Sequence, residues 1–227
     1  MPRKSVETEV LIRVDGIVLE GILGDSGGAQ AIVLFAHGSG SSRFSPRNNF
    51  VAKVLRAHGL ATLLIDLLTP AEDQVYENRF NIDMLTERLA TVAQWIKKQS
   101  DLRDLPLGLF GASTGAASAL RLAARLGGGI YAVVSRGGRP DLAEGFLSRV
   151  TAPTLLIVGG NDAVVLELNR RAYLELGAEK ELAIIPEATH LFEEPGALEA
   201  VARKAAAWFS EKLPSAHDPR ALMRAEH

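Results

Sequence analysis

Ser113 lies between two glycines at the end of an apolar run, in the pattern Gly111-Ala-Ser113-Thr-Gly115. Glycines two residues to either side of a serine are typical of a strand that turns sharply into a helix, because side chains there would collide in the turn. Such a turn projects the serine hydroxyl above a sheet, where it could act as a nucleophile. An ordinary glycine-rich strand–helix turn would give the same pattern, so further residues are needed to decide.

A serine hydroxyl becomes a nucleophile beside a general base, and that base needs an acid to orient it. Asp162 and His190 each follow an apolar run, and they come after Ser113 in the chain order serine, acid, histidine that this architecture requires. Because the carboxyl ends of parallel strands meet at one edge of a sheet, we expect the three side chains to converge there. The sequence therefore predicts a Ser113–His190–Asp162 catalytic triad.

Each partner of the serine has a competing interpretation. Asp162 also stands where the N-cap of a helix is expected, and Asp141, which follows the preceding strand, is the alternative acid. His190 competes with a loop histidine that has no role. The other histidines lie before the serine, at a helix end or in the tail: His37, His58, His217 and His227. A metal site of His190, Glu193 and Glu194 is a further alternative, which no His-Glu-x-x-His motif supports.

The first apolar run ends in a flexible turn, His37-Gly-Ser39-Gly40-Ser-Ser-Arg43. In a hydrolase such a turn presents one backbone N–H to the developing oxyanion, and the residue after the nucleophile presents another. We therefore predict that Ser39 and Thr114 form the oxyanion hole. A dinucleotide-binding turn is disfavoured because Arg43 replaces the third glycine of Gly-x-Gly-x-x-Gly, and no Gly-x-x-x-x-Gly-Lys-Ser/Thr motif is present.

Three arginines are expected near the same edge of the sheet, Arg43 after the oxyanion turn and Arg136 and Arg139 after a later strand. A guanidinium of Arg43 or Arg136 could bind a substrate carboxylate in bidentate fashion. The alternative, which we favour, is that these arginines hold loops, because loop arginines usually bond to nearby backbone and acids. The carboxylates available for this are Asp66, Asp141 and Glu193.

Buried strands that alternate with helices must position these residues. Six short apolar runs predict strands buried on both faces: Ala31–Ala36, Ala61–Ile65, Leu105–Phe110, Ile130–Val134, Pro153–Val158 and Leu182–Ile185. Apolar residues at helical spacing separate them, around Phe50–Leu55, Leu85–Ile96, Ala119–Ala123, Leu166–Leu176 and Leu198–Phe209. The fold class is therefore α/β, a mostly parallel sheet with helices on both faces.

Two other segments complete the predicted architecture. Period-two runs on either side of Asp15-Gly16 predict an antiparallel N-terminal hairpin at one edge of the sheet. The short gap between Val134 and Thr154 has room for one helix, Asp141–Ser148, and for no large cap domain. We predict one domain over residues 1–213 and a polar, disordered tail over 214–227.

Composition excludes several classes of function. A net charge of −2 offers no basic field for nucleic acid or anionic lipid, and the absence of cysteine excludes disulfides and thiolate chemistry. No secretory signal and no apolar run long enough to span a bilayer are present, which indicates a cytoplasmic protein.

From about Glu7 to Lys212 the chain resembles α/β-hydrolases of the dienelactone hydrolase-like group. The resemblance rests on His37-Gly-Ser-Gly, Gly111-Ala-Ser113-Thr-Gly115, Gly-Gly-Asn-Asp162 and Ala-Thr-His190. It implies the triad and oxyanion assignments made above, and an activity on esters or lactones. Dienelactone hydrolases proper carry a cysteine nucleophile where this chain has Ser113, so the dienelactone substrate itself does not follow.

The segment Ser39–Asn48 also resembles bacterial hydrolase domains that are sometimes fused to a phosphoribosyltransferase. The same holds for Asp66-Leu-Leu-Thr-Pro and for Ser135-Arg-Gly-Gly-Arg-Pro-Asp-Leu. No phosphoribosyltransferase segment is recognised in the sequence, and the resemblance leaves open whether such a partner exists.

These observations predict a serine hydrolase that cleaves small ester or lactone substrates through an acyl-enzyme on Ser113, without a cofactor or metal. A thioesterase or acyltransferase on the same triad and a non-catalytic binding module remain alternatives. The expected partner is a small ester-like molecule, with no nucleic acid and no membrane; a homodimer is left open.

Overall fold

Eight strands form one sheet in the computed structural model, which describes residues 6–14, 16–25 and 27–214. The strands are β1 Val6–Val14, β2 Ile17–Asp25, β3 Ala31–Ala36, β4 Leu60–Ile65, β5 Leu107–Ala112, β6 Ile130–Arg136, β7 Thr154–Gly159 and β8 Lys180–Ile185. The helices are α1 Pro46–Ala57, α2 Pro70–Asp73, α3 Ile82–Lys98, α4 Thr114–Leu126, α5 Ala163–Glu175 and α6 Ala197–Glu211. Every apolar run that predicted a buried strand forms a strand, but β8 is an edge strand with Ile184 41% exposed, so the prediction that Leu182–Ile185 is buried on both faces is wrong.

The strand order is β1-β2-β4-β3-β5-β6-β7-β8. Strands β3 to β8 are parallel to their neighbours, while β1 pairs with β2, and β2 with β4, in antiparallel fashion. This arrangement confirms the predicted mostly parallel sheet with an N-terminal hairpin. Gly16 has a φ of +86°, as a tight hairpin turn requires, while its predicted turn partner Asp15 lies outside the described residues.

The apolar runs are continuous because both faces of the sheet are covered. In β3, Ile32 and Leu34 belong to the core formed with α3 and α4, whereas Val33 and Phe35 belong to the core formed with α1 and α6. Side chains alternate between the faces of a strand, so a strand between two helical layers must be apolar at every position. The ring of Phe35 stacks on that of Phe110 in the neighbouring β5, with centroids 4.7 Å apart.

The predicted helix over Asp141–Ser148 is wrong. The chain forms two short 3-10 turns there, Pro140–Ala143 and Leu147–Arg149, and Gly145 between them has a φ of +76°. A residue in the left-handed region cannot continue a right-handed helix, so the segment divides at that glycine. The segment between β6 and β7 is therefore compact and contains no cap domain, as expected.

The segment between β4 and α3 contains structure that the sequence did not reveal, helix α2 and a 3-10 turn at Tyr76–Phe80. The predicted tail over 214–227 lies outside the described residues apart from Pro214, and the domain boundaries stay predictions. Among the described residues, no helix combines the length and the apolar character needed to cross a bilayer.

Candidate active site

Ser113 occupies a strained turn between the end of β5 and the start of α4, with φ of +50° and ψ of −122°. A non-glycine residue held in such a conformation costs about 1–3 kcal/mol, and the surrounding structure must impose it. The backbone of Ser113 is fixed from both sides. Its N–H donates to the carbonyl of Arg136 at 3.1 Å, and its carbonyl accepts from the N–H of Arg139 at 3.0 Å. Strain of this kind is found where a side chain must be presented for function.

The two glycines of the motif allow α4 to pack closely against the sheet. A Cβ atom on Gly111 would lie 2.4 Å from Cα of Ala116, and one on Gly115 would lie 2.3 Å from the carbonyl oxygen of Ala36. Real Cβ atoms do not approach other atoms so closely, so any larger residue would push α4 away from β3 and β5. The spacing Gly-x-Ser-x-Gly therefore follows from the turn geometry that projects Ser113.

Asp162 and His190 are in direct contact. His190 Nδ1 lies 2.7 Å from Asp162 Oδ2, and the Asp162 side chain is only 15% exposed, against 39% for His190. Asp162 occupies the N-cap position of α5, but its side chain makes no capping hydrogen bond, so the carboxylate is turned to His190 instead. The alternative acid, Asp141, is held by both of its oxygens to the guanidinium of Arg139, at 2.8 and 2.7 Å. The imidazole is thus oriented by Asp162.

The loops that carry Asp162 and His190 are joined by hydrogen bonds. The side-chain amide of Asn161 donates to the carbonyl of Glu187 at 2.8 Å, and the backbone N–H of Asn161 donates to the carbonyl of Ala188 at 2.9 Å. Glu187 itself has a φ of +58°. Asn161 and this left-handed turn fix the acid relative to the base. The sequence analysis used Asn161 only as part of the motif before Asp162, and its hydrogen bonds to the loop of His190 were not evident there.

The backbone at the end of β6 lies against both Ser113 and His190. The carbonyl of Arg136 accepts the hydrogen bond of the Ser113 N–H, and a Cβ on the next residue, Gly137, would lie 3.5 Å from His190 Cε1. Gly137 has a φ of +51°, so its position against the imidazole suits a residue without a side chain. Among the described residues, no hydrogen bond joins Ser113 Oγ directly to His190. In an unliganded site such catalytic hydrogen bonds are often long and tighten when substrate binds.

Ser39 and Thr114, the residues predicted to form the oxyanion hole, contact each other. The backbone N–H of Ser39 donates to the hydroxyl of Thr114 at 2.8 Å, and Thr114 is buried. The turn is held by His37, whose Nε2 accepts from the N–H of Leu67 at 3.2 Å while Nδ1 lies 2.9 Å from the carbonyl of Gly38. The acceptor role of Nε2 requires the neutral tautomer that carries its proton on Nδ1. His37 therefore shapes the oxyanion turn.

The arginines behave differently from one another. Arg43 forms ion pairs with Asp66 and Glu20, and Arg139 with Asp141, so these two hold loops as the favoured interpretation expected. Arg136 is buried and forms no ion pair with any carboxylate of the described residues. Burial, with the nearby charge of Arg47 as a smaller cause, lowers the pKa of Arg136 to about 10. The guanidinium still carries its charge at neutral pH.

The residues of the alternative metal site do not converge. Glu193 pairs with Arg47 at 3.1 Å, and Glu194 accepts hydrogen bonds from the hydroxyl and the N–H of Thr189, at 2.6 and 3.0 Å. The bond from the Thr189 hydroxyl lowers the pKa of Glu194. Within the part of the chain that the structure describes, no three His, Cys, Asp or Glu side chains are grouped as metal ligands. Glu194 instead fixes the position of Thr189, the residue before His190, through these hydrogen bonds.

Comparison with known proteins identifies the family and the fold. Residues 29–211 match the family described as alpha/beta hydrolase domain. The crystal structure of a dienelactone hydrolase from Anabaena variabilis ATCC 29413 superposes with a TM-score of 0.89 at 51% identity, covering 92% of this chain and 99% of that one. Est1E from Butyrivibrio proteoclasticus has a TM-score of 0.78 at 18% identity, over 90% of this chain and 98% of its own, and shares the fold.

A relative from Mycobacterium tuberculosis (strain ATCC 25618 / H37Rv) is 56% identical over 184 residues, which are 81% of this chain. That protein is named, provisionally, a phosphoribosyl transferase. The chain spans only 42% of its length.

Proposed function

This chain belongs to the α/β-hydrolase family, in its dienelactone hydrolase-like group, and on that premise we propose that it is a serine hydrolase of small esters or lactones. The observation that carries the proposal is the 2.7 Å contact between His190 Nδ1 and Asp162 Oδ2, beside the strained turn of Ser113. An imidazole oriented by a largely buried carboxylate, at the same edge of the sheet as a projecting serine hydroxyl, is the arrangement that activates a serine.

In the proposed mechanism His190 accepts the Ser113 proton on Nε2, because Nδ1 faces Asp162. Ser113 Oγ attacks the carbonyl carbon, and Asp162 stabilises the imidazolium that forms. Backbone N–H groups of Thr114 and Ser39 hold the oxyanion, a contribution of about 2.7–4 kcal/mol to the barrier for each donor. His190 then protonates the leaving alcohol, and water hydrolyses the acyl-enzyme with His190 again as base.

The shape of the site favours small substrates. Ser39 and Thr114 border a small recess. Its other lining residues include the apolar Leu67, Leu68 and Leu85 and the charged Asp73 and Arg79. With no cap domain between β6 and β7, the acyl group is held only by this recess and the surrounding rim. We therefore propose that the enzyme prefers substrates with short acyl chains. The proposed substrate is a small molecule of the cytoplasm.

The transferase activity in the names of the Mycobacterium tuberculosis relatives is not carried over, because the matched part is only 42% of each protein. Thioester hydrolysis and acyl transfer to alcohols would use the same triad. They are separated from ester hydrolysis by supplying thioesters, or by adding competing alcohols and analysing the products.

The proposal is tested by pre-steady-state hydrolysis of p-nitrophenyl acetate. An acyl-enzyme intermediate predicts a burst of p-nitrophenol close to one equivalent whenever deacylation is slower than acylation, followed by steady turnover. The Ser113→Ala variant, checked for folding by circular dichroism, should lose both phases. Equal rates for the variant and the folded wild type would refute the serine mechanism, and rates equal to that of buffer alone would favour a non-catalytic binding module.

A further inference from the structure

Asn169 is a polar residue in the middle of α5 whose side chain is completely buried. Its amide nitrogen donates two hydrogen bonds, at 2.9 Å to the carbonyl of Gly138 and at 2.8 Å to the carbonyl of Val165 in the preceding turn of the helix. Both partners are carbonyl oxygens, so the nitrogen and not the oxygen of the amide must face them. The amide oxygen Oδ1 is buried and has no hydrogen-bond partner in the described part of the chain.

The stability of α5 does not explain an asparagine at this position. The other buried residues of the helix are apolar, namely Val165, Leu166 and Ala172, and asparagine is a poorer helix former than leucine. A buried amide oxygen without a partner is unfavourable, and the bond to Val165 only returns to the same helix. What an apolar residue could not supply is the bond to Gly138, which lies outside α5.

Gly138 belongs to the loop at the end of β6, which holds the nucleophile. Backbone hydrogen bonds join this loop to Ser113: the carbonyl of Arg136 accepts from the Ser113 N–H at 3.1 Å, and the N–H of Arg139 donates to the Ser113 carbonyl at 3.0 Å. The residues between Arg136 and Arg139 are glycines, whose backbone rotates more freely than that of other residues. The strained conformation of Ser113 therefore depends on a loop that needs an anchor, and the bond from Asn169 provides one.

The same loop and the same helix also contact the base and the acid. Gly137 lies against His190, because a Cβ there would be 3.5 Å from the imidazole Cε1. Helix α5 begins directly after Asp162, and the N–H of Leu166 donates to the Asp162 carbonyl at 2.8 Å. Asn169 lies about two helical turns beyond Asp162. One side chain thus joins the helix that follows the acid to the loop that holds the serine and faces the base.

We propose that Asn169 is a positioning residue for the reaction, whose bond to Gly138 sets the place of the Ser113 hydroxyl relative to the imidazole of His190. The inference rests on the proposed serine hydrolase function and adds a residue that acts through the loop. A misplacement of about 1 Å between reacting groups can cost about 10²-fold in rate. Because Asn169 is completely shielded from solvent, and therefore from substrate, its loss should lower kcat and leave KM nearly unchanged.

The kinetic test uses Asn169→Leu, which removes the donor at similar volume. We expect kcat for p-nitrophenyl acetate to fall about 10- to 100-fold, with KM within about twofold of the wild-type value. Asn169→Ala replaces this variant if the leucine prevents folding. Wild-type kcat in a folded variant at this position would overturn the proposal.

Thr86→Val is the matched control. Thr86 is also buried in a helix, α3, and its hydroxyl donates to the carbonyl of Ile82, four residues earlier, at 2.6 Å. This bond returns to its own helix and does not hold the loop after β6. Both variants should unfold in urea near the wild-type midpoint, while only Asn169→Leu loses kcat. Equal losses of kcat in the two variants would mean that any buried polar contact has this effect, and the positioning role would be overturned.

Amide hydrogen exchange, measured by NMR, separates this inference from the hydrolase function because it needs no substrate. The N–H groups of Ser113 and Arg139 are hydrogen-bonded across the loop. Asn169→Leu should raise their exchange rates at least about tenfold, whereas Thr86→Val should not. Faster exchange in a protein that hydrolyses no ester would support the loop anchor while the hydrolase function fails. Ester turnover with unchanged kcat and unchanged exchange in Asn169→Leu would overturn the positioning role while the hydrolase function stands.

Discussion

The backbone N–H of Ser39 donates a hydrogen bond of 2.8 Å to the hydroxyl of Thr114, a residue 75 positions further along the chain. The bond joins the oxyanion turn after β3 to the first residue of α4, the two segments that the proposed mechanism needs side by side. In the free protein the Ser39 N–H therefore already has an acceptor. When an oxyanion forms, this N–H must either break its hydrogen bond to the Thr114 hydroxyl or donate to both oxygens.

Replacing that hydroxyl distinguishes a structural role from a catalytic one. Thr114→Val removes the acceptor at constant shape and should destabilise the protein by about 1 kcal/mol, because the Ser39 N–H loses its partner. We expect kcat/KM to change by less than about five-fold, since the backbone donors remain. Thr114→Ser keeps the hydroxyl and should match wild type in kinetics, while its unfolding shows the loss of one buried methyl group, about 0.8 kcal/mol. A hundredfold fall for Thr114→Val would mean that the hydroxyl itself stabilises the oxyanion.

The identity of the catalytic acid can be tested with a matched pair of variants. Asp162→Asn keeps the shape of the side chain but favours the wrong imidazole tautomer, and an effect of about 10⁴-fold on kcat is typical for such a change. Asp141→Asn alters a carboxylate that pairs with Arg139 rather than with His190, and should change kcat less than tenfold. Steady-state kinetics on p-nitrophenyl acetate measures both. The reverse order of effects would reassign the acid to Asp141.

Two glycine substitutions test the turn that presents the serine. Gly115→Ala would place a Cβ 2.3 Å from the carbonyl oxygen of Ala36. That oxygen belongs to the backbone of β3 in the packed core, so moving it away would strongly destabilise the fold. We expect a loss of more than about 3 kcal/mol in the free energy of unfolding, or no folded protein. Gly128→Ala meets nothing within 4 Å and should leave thermal stability and activity near wild type. Equal stabilities of the two variants would contradict the close approach of α4 to β3.

Glu72 gives a pH-dependent contribution to stability next to the oxyanion turn. Hydrogen bonds from the Arg88 guanidinium, followed by Thr69, lower the pKa of Glu72 from 4.5 to about 2. A lowered pKa in the folded state means stabilisation that is complete above about pH 4.5 and is lost as the pH falls toward 2. Glu72→Gln should therefore cost roughly 1 kcal/mol at pH 7, because solvent screens a pair this close to the surface, and less at pH 3.

Urea unfolding at several pH values measures the Glu72 effect. Glu77→Gln, in the exposed 3-10 turn that follows, serves as the control and should show no such trend. A difference between wild type and Glu72→Gln that grows as the pH falls would contradict the assigned pKa.

The predictable features are those with a local or periodic cause. Strands β3 to β7 were evident because burial on both faces demands unbroken apolar runs, and Ser113 because its turn excludes side chains at Gly111 and Gly115. The acid and the base followed from one topological rule, that parallel strands end at a common edge.

What the sequence did not reveal depends on contacts between distant segments. Arg43 and Arg136 look alike in sequence, yet one finds Asp66 and Glu20 while the other finds only Asn48, and this difference exists only in three dimensions. The helix over Asp141–Ser148 was predicted from the length of the gap between two strands, but the left-handed backbone of Gly145 interrupts it.

Labelling with a fluorophosphonate probe, followed by peptide mass spectrometry, tests the central claim most directly. A reactive serine oriented by His190 and Asp162 predicts one adduct, on the peptide that contains Ser113, in the wild type. The adduct should be absent from Ser113→Ala and strongly reduced in His190→Ala. A folded wild-type protein that carries no adduct, or carries it on another residue, would contradict the assignment of Ser113 as the nucleophile.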